Sequence, residues 1–321
     1  MKTLLQNIFE HPSLRDKPPV LVDVGAAGAL PDQWKAIARF AIGFAFDADT
    51  REFAVSESTN GSYRKLYSIN RLLAARPADA VDFYLTRSPQ CSSSLRPDAA
   101  ALAPWAFNAL FDVEKVVKMP AASLQEVLTS VGIDYVDWYK TDSQGTDLRI
   151  FNALPAATIE RAIVAEFEPG IIDAYAGEDK LHALMAYMER KPFWVTNMKI
   201  KGSQRIAADD IAQLGALQRR DIGMFLKMAP GWCEIEYINT FAGPAMGLRE
   251  HLLGWAFSSI KGEHGFALYL AQRGAREFGD PLFVQLSAAS RKSVSAFFPR
   301  FAMAAAGRLA RRLKGAFRWT S

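Results

Sequence analysis

Residues 20–28 read Val20-Leu21-Val22-Asp23-Val24-Gly25-Ala26-Ala27-Gly28 and follow the pair Pro18-Pro19, which stops any regular structure before them. A short apolar run closed by acidic and glycine residues has the pattern of a parallel strand buried on both faces. Pro31 suits a helix start, so Gln33–Phe40 is expected to form a helix over the glycine loop. Ile42–Phe46 is a second apolar run, and it too ends in acidic residues, Asp47 and Asp49.

The same alternation continues downstream. Leu66–Asn70 and Ala80–Thr86 have strand character, and Ser88–Pro97 is a loop by composition. Ser123–Val131 is expected to be a helix, with Ser123 and Glu126 at capping-box spacing and Gly132 as its stop. Tyr135–Lys140 is a strand feeding the polar Thr141-Asp142-Ser143-Gln144-Gly145. A helix begins at Leu148–Asn152, Arg161–Phe167 is a strand, Asp179–Glu189 a helix and Phe193–Ile200 a strand. Strands alternating with helices predict an α/β, Rossmann-like fold, a mostly parallel sheet with helices on both faces. Beyond residue 205 the segments Ala207–Leu226 and Gly247–Ala275 are helix-rich around the strand-like Cys233–Asn239. The division expected is an N-terminal helical segment 1–17, an α/β domain 18–205, a helix-rich extension 206–290 and a basic tail 291–321.

A strand ending in Asp-x-Gly-x-x-Gly, with an acid some twenty residues later, suits a nucleotide-type ligand. Gly25 and Gly28 allow a tight turn and a close backbone approach, and Asp47, with Asp49 beside it, accepts hydrogen bonds from ribose hydroxyls. A dinucleotide site needs the full Gly-x-Gly-x-x-Gly, because its pyrophosphate sits on a helix N-terminus. Here Asp23 occupies the place of the first glycine, and an acid there repels a pyrophosphate. It suits a cationic cofactor such as S-adenosylmethionine. The bland alternative is a turn of small residues that lets helix and strand pack.

These residues, together with several downstream, resemble the FkbM-type S-adenosylmethionine-dependent methyltransferases. Leu21–Gly28 is similar to that family's Val-Asp-Val-Gly-Ala opening, and Phe46-Asp47-Ala48-Asp49 to its Phe-Glu-Pro-Asp. Cys91-Ser92-Ser93-Ser94-Leu95 is similar to Cys-Ser-Ser-Leu. Lys140-Thr141-Asp142-Ser143-Gln144-Gly145-Thr146-Asp147-Leu148 is similar to Lys-Ile-Asp-x-Gln-Gly-x-Glu-Leu. Glu166-Phe167-Glu168-Pro169-Gly170, with Tyr175 and Glu178, also fits, so the likeness spans residues 20–205. Asp47 and Asp147 replace glutamates, and Ala48 replaces a proline. The resemblance implies a class I methyltransferase fold and O-methylation of a hydroxyl on a sugar, glycan or other small acceptor. It also implies a cofactor site built from Asp23, Gly25, Ala26, Gly28, Asp47, Asp49, Ser93 and Gln144.

Proton removal from an alcohol acceptor calls for a nearby carboxylate or histidine. Asp142, just past a central strand, is the first candidate, as base or as the group that orients the acceptor; its structural alternative is a cap for the helix near Thr146. Glu166 and Glu168 end the next strand, and their two-residue spacing points both to one face. Two carboxylates fall short of a metal site, and none is assigned. Gln144 is placed to bond either cofactor or acceptor. His11, His182, His251 and His264 lie outside these motifs.

In a chain of 321 residues, 50% apolar and 22% charged, a globular protein is expected. Its two cysteines, far apart, favour a reducing cytoplasm over a disulfide framework. After Asp280 the chain has eight positive charges and no acid, exceeding the net +4 of the whole and leaving residues 1–280 at net −4. Within residues 295–319, Leu309, Leu313 and Phe317 share one helical face flanked by Arg308, Arg311, Arg312 and Lys314. That pattern suits either the inner surface of an anionic membrane or packing on the protein's own body. No nucleic-acid motif accompanies the charge. Two rival functions are a catalytically silent methyltransferase fold used for binding or assembly, and an NAD-type oxidoreductase.

Overall fold

Val20–Val24 forms a strand, β1, buried along its whole length. The computed structural model describes residues 2–26, 30–49, 51, 63–243 and 246–296. Beside β1 lie β2 (Ile42–Phe46) and then β3 (Lys65–Ile69), all parallel. On its other side β7 (Trp138–Thr141) and β8 (Val164–Phe167) continue the parallel sheet. The long β9 (Phe193–Gln204) and β10 (Met228–Asn239) close that edge, with β10 antiparallel to both β8 and β9. The order across the seven strands is β3-β2-β1-β7-β8-β10-β9. The expected α/β architecture with a mostly parallel sheet flanked by helices is therefore present.

Period-two alternation sorts the side chains of this sheet. Val20, Val22, Val24, Phe44, Phe46, Tyr139, Ala165 and Phe167 join one apolar cluster. Helices Leu124–Ser130, Asp147–Asn152, Ala156–Arg161 and Leu181–Met188 cover it, contributing Leu128, Phe151, Ile159 and Leu184. Each such side chain contributes about 1.5–3 kcal/mol by leaving water. The first of these helices has the expected capping box between Ser123 and Glu126. On the opposite face Trp34 meets Trp138 edge-on, with ring centroids 6.0 Å apart.

Several sequence expectations are corrected. Gln33–Phe40 is two 3-10 turns, Asp32–Ala36 and Ala38–Phe40, rather than one helix. A tighter helix rises about 2.0 Å per residue and so covers more of the path to β2 in few residues. Ala80–Thr86 belongs to a separate three-stranded sheet, in which β5 (Ala78–Thr86) and β4 (Leu72–Leu73) flank the unforeseen β6 (Val113–Ala122). The stretch Ala207–Leu226 is helix-rich as expected, in three short helices, Ala208–Ala212, Ala216–Arg220 and Ile222–Phe225.

The expected boundary at residue 205 falls inside a structural unit. The unit holding the sheet runs from Leu14 to Met246, because β10 pairs with β8 and β9. Residues 1–17 are likewise divided, since Met1–Ser13 groups with Gly247–Ser321. Within that second unit, helices Leu248–Ile260, His264–Phe278 and Leu282–Ser295 pack together. Trp255 Nε1 donates to Ser290 Oγ at 2.8 Å, and Gly274 leaves room for the Phe283 ring. The amphipathic part of the basic tail, residues 297–319, lies outside the described residues. Among the described residues no helix is long and apolar enough to cross a membrane.

Gly25 closes the first strand with φ +82°, and a Cβ there would run into the Asp142 carbonyl oxygen. Gly25→Ala is therefore expected to destabilise the sheet unit by about 2–5 kcal/mol, combining left-handed strain with a backbone clash. At about 2–4 °C per kcal/mol for a domain of this size, Tm falls by about 5–15 °C. Gly132→Ala is the control: it has φ +76° but nothing within 4 Å, so only the strain applies. Equal melting shifts for the two variants contradict this assignment.

Candidate functional site

The strand order reverses about β1: β2 and β3 extend to one side, β7 and β8 to the other. In open α/β sheets such a switch point leaves a crevice outside the carboxyl ends of the strands. Here the carboxyl ends of β1 and β7 are bound together, with Asp142 N donating to Val24 O at 2.8 Å. Gly25 N and Ala26 N both donate to Phe46 O, at 2.8 and 2.9 Å, which ties the start of the glycine loop to β2.

Asp147 fixes the turn that follows β7. This side chain is 1% exposed. Its Oδ1 accepts from Thr141 Oγ1 (3.0 Å), Ser143 N (2.8 Å) and Ser143 Oγ (2.5 Å), and its Oδ2 accepts from Glu168 N (3.1 Å). One buried carboxylate thus joins the ends of β7 and β8. Between these anchors Gln144 adopts φ +55° and Gly145 φ +97°. A left-handed non-glycine costs about 1–2 kcal/mol, and the neighbours of Gln144 oppose that cost. Ser93 Oγ donates to Gln144 O at 2.7 Å, Gln144 Nε2 donates to Asp142 Oδ1, and the Tyr175 hydroxyl lies 2.9 Å from Gln144 Oε1. The conformation aims the Gln144 amide back at Asp142.

Asp142 and Glu168 face one another across the ends of β7 and β8. Burial, and then the Glu168 carboxylate, raise the Asp142 carboxyl well above the usual carboxylate range, against the pull of Lys140. Glu168 is itself raised, by burial and by Glu234, despite the 2.6 Å hydrogen bond it accepts from Trp232 Nε1. Two neighbouring carboxyl groups of this kind favour sharing a proton.

Two clefts meet at this turn. The first, of about 620 Å³ including its open mouth, is lined by Gly25, Asp47, Asp49 and Arg71, with apolar Phe46, Leu72, Leu73 and Phe83. The second, of about 970 Å³, is lined by Phe107, Phe111, Tyr175, Trp232, Glu168 and Glu178, among others. Gln90, Asp142 and Gln144 line both.

The sequence-predicted residues divide accordingly. Asp142, Gln144, Gly25, Asp47 and Asp49 line the first cleft, and Glu168 lines the second. Asp49, however, is held by Arg51 (2.6 Å), which together with Ser92 keeps it below the usual range against the cost of burial. Asp23 lines neither cleft. It sits opposite Lys140 in the β1–β7 register, and its carboxylate takes the Lys140 ammonium at 2.7 Å. The pair is unequal. Burial leaves Asp23 above its ordinary range, whereas Asp23, Asp142 and Glu166 hold Lys140 charged in spite of its own burial. Asp23 therefore pairs with Lys140 within the sheet rather than lining either cleft.

Ser93 is buried and braces the Gln144 backbone rather than lining a cleft. Glu166 accepts from Trp138 Nε1 (2.8 Å) and Gln33 Nε2 (3.2 Å), away from both clefts. It shares with Glu168 only a smaller acidic hollow beside Glu234 and Glu236. Asp142 is no helix cap, since Thr146 takes the N-cap position without a side-chain bond. Gly28 lies outside the described residues, and Ala26 contributes its backbone bond to Phe46. Sequence reasoning missed the roles of Asp147, Tyr175, Trp232 and Lys140. Of these, Asp147 and Lys140 lie in the turn motif and Tyr175 beside the Glu166–Gly170 stretch that carry the resemblance, whereas Trp232 carried no local signal. No family model matches the chain, and no curated protein matches it either.

The raised carboxyl pair carries a stability signature. Because the folded state holds its protons more tightly than the unfolded one, the pair contributes stability below the ordinary carboxylate range and loses it as pH rises through the raised values. Glu168→Gln removes the like charge beside Asp142 and is expected to flatten the fall in Tm between about pH 4 and about pH 8. Superimposable pH–Tm curves for wild type and variant contradict the pairing.

Proposed function

We propose that this chain is an S-adenosylmethionine-dependent methyltransferase of the class I fold, acting on the hydroxyl of a sugar or other small acceptor. The observation that carries the reading is the meeting of two clefts at Asp142 and Gln144, at the switch point of a parallel sheet. The sheet order supports it as well, since the antiparallel β10 between β8 and β9 departs from the six-strand 3-2-1-4-5-6 order of dinucleotide-binding folds.

The first cleft fits a nucleoside. Phe46, Leu72, Leu73 and Phe83 offer an apolar wall to a base, and Asp47 at the end of β2 is positioned for ribose hydroxyls. A pyrophosphate is poorly served. The Gly25 and Ala26 amides already bond Phe46 O, and the first described helical residues after the loop are a 3-10 turn opening with Asp32. A dinucleotide needs a helix N-terminus there.

When bound, the cofactor supplies an electrophilic methyl group on a sulfonium. The chain's residues position the acceptor and take its proton. Asp142 would take the hydroxyl proton of an acceptor whose oxygen displaces the thioether from that methyl group, and Glu168 raises its affinity for the proton. Gln144 holds the Asp142 carboxylate toward both clefts, and Tyr175 holds Gln144. The clefts set the approach of the two reactants.

Calorimetry with the full chain is expected to detect S-adenosylhomocysteine and not NAD. Asp142→Asn is expected to lower transfer of labelled methyl to small molecules of a cell extract by about 100-fold or more, the lower end for loss of a general base. NAD binding without S-adenosylhomocysteine binding contradicts the reading. Binding of S-adenosylhomocysteine with no labelled product at any protein concentration indicates a silent binding fold instead.

A further inference from the structure

We infer that the second cleft takes an acceptor bearing a positive charge, a protonated or quaternary amine on an apolar body. The inference rests on assigning that cleft to the acceptor, and it follows from the chemistry of the cleft's walls.

Aromatic rings form a continuous wall. Phe107 lies 5.4 Å from Phe111 and 6.1 Å from Trp232 by ring centroids, and Phe111 lies 5.6 Å from Tyr175. Ring faces attract cations through their quadrupoles, most strongly where water is displaced. Against this wall stand Asp142 and Glu168. Their donors are neutral, the Gln144 amide and the Trp232 indole N–H. Among the described residues neither carboxylate has an ion-pair partner, because the neighbouring Lys140 ammonium is directed to Asp23.

A third carboxylate, Glu178, adds nothing to the balance, since Lys180 takes it at 2.9 Å. No lysine, arginine or histidine is among the described residues that line the cleft. An acceptor carrying phosphate or carboxylate would meet like charge with no counter-ion. A neutral acceptor would leave the negative charge of the proton-sharing pair, and the ring faces, without a cation. A cationic acceptor satisfies the rings and the pair together.

The test titrates the full chain with benzyltrimethylammonium, benzyl alcohol and benzoate by calorimetry. The cation is expected to bind about tenfold or more tightly than the alcohol, with benzoate weakest. Its affinity is expected to rise from about pH 5 to about pH 8 with release of a proton, because binding favours the charged pair. Glu168→Gln is expected to weaken the cation about tenfold while changing the alcohol less than about threefold. An alcohol or benzoate bound as tightly as the cation, a cation affinity independent of pH, or no cation binding at millimolar concentration each overturns the inference. The wild-type comparison stands even if the variant does not fold. These titrations contain no cofactor, and S-adenosylhomocysteine reads the other cleft, so failure of this inference is distinguishable from failure of the methyltransferase reading.

Discussion

A side chain at residue 25 would collide with the backbone carbonyl of Asp142, so the ends of β1 and β7 approach as closely as they do only because residue 25 is glycine. The amide of Asp142 then bonds Val24 O, and the whole turn after β7 is carried by that junction. Asp147 completes it by binding Thr141, Ser143 and the amide of Glu168 in one buried cluster. The positions of Asp142 and Glu168 follow from these backbone contacts. The glycine required by the sequence motif thus serves the protein's own backbone before it serves any ligand.

Charge is distributed around this junction in a consistent way. On the sheet face, Asp23 and Lys140 neutralise each other. At the edge of the first cleft, Asp49 is held by Arg51. In the second cleft, Glu178 is held by Lys180. Asp142, where the clefts meet, and Glu168 beside it have no ion-pair partner among the described residues, and burial raises both. Perturbed groups converging in a cleft mark a functional site more often than a structural one.

The strands and their polar ends were legible in the sequence because an apolar run of four or five residues closed by Gly or Asp is too short for a buried helix and suits a buried strand. Val20–Val24 and Ile42–Phe46 appear as read, and the strand read over Tyr135–Lys140 is Trp138–Thr141. The Ser123–Glu126 cap was equally legible, since a capping box is local. β6 was not: its register partners are on the distant β5 and β4, and its Val113–Ala122 segment interleaves charged residues with apolar ones. Nor was the ion pair of Asp23, which depends on Lys140 lying beside it, 117 residues away in the chain. Trp232 reaches the site from β10, between β8 and β9, so no local pattern announces it. Side-chain direction at a site is a tertiary property, and sequence pattern reaches it only where one turn holds all the parts.

The central claim is that Asp142 stands between a cofactor cleft and an acceptor cleft. A crystal structure with S-adenosylhomocysteine tests it most directly. The adenosine is expected against Phe46, Leu73 and Phe83, with ribose hydroxyls at Asp47 and the sulfur within about 5 Å of the Asp142 carboxylate, in reach of a near-attack geometry. The space beside the sulfur is expected to open toward Phe111 and Trp232. A ligand bound in the aromatic cleft, or one whose sulfur faces away from Asp142, contradicts the claim.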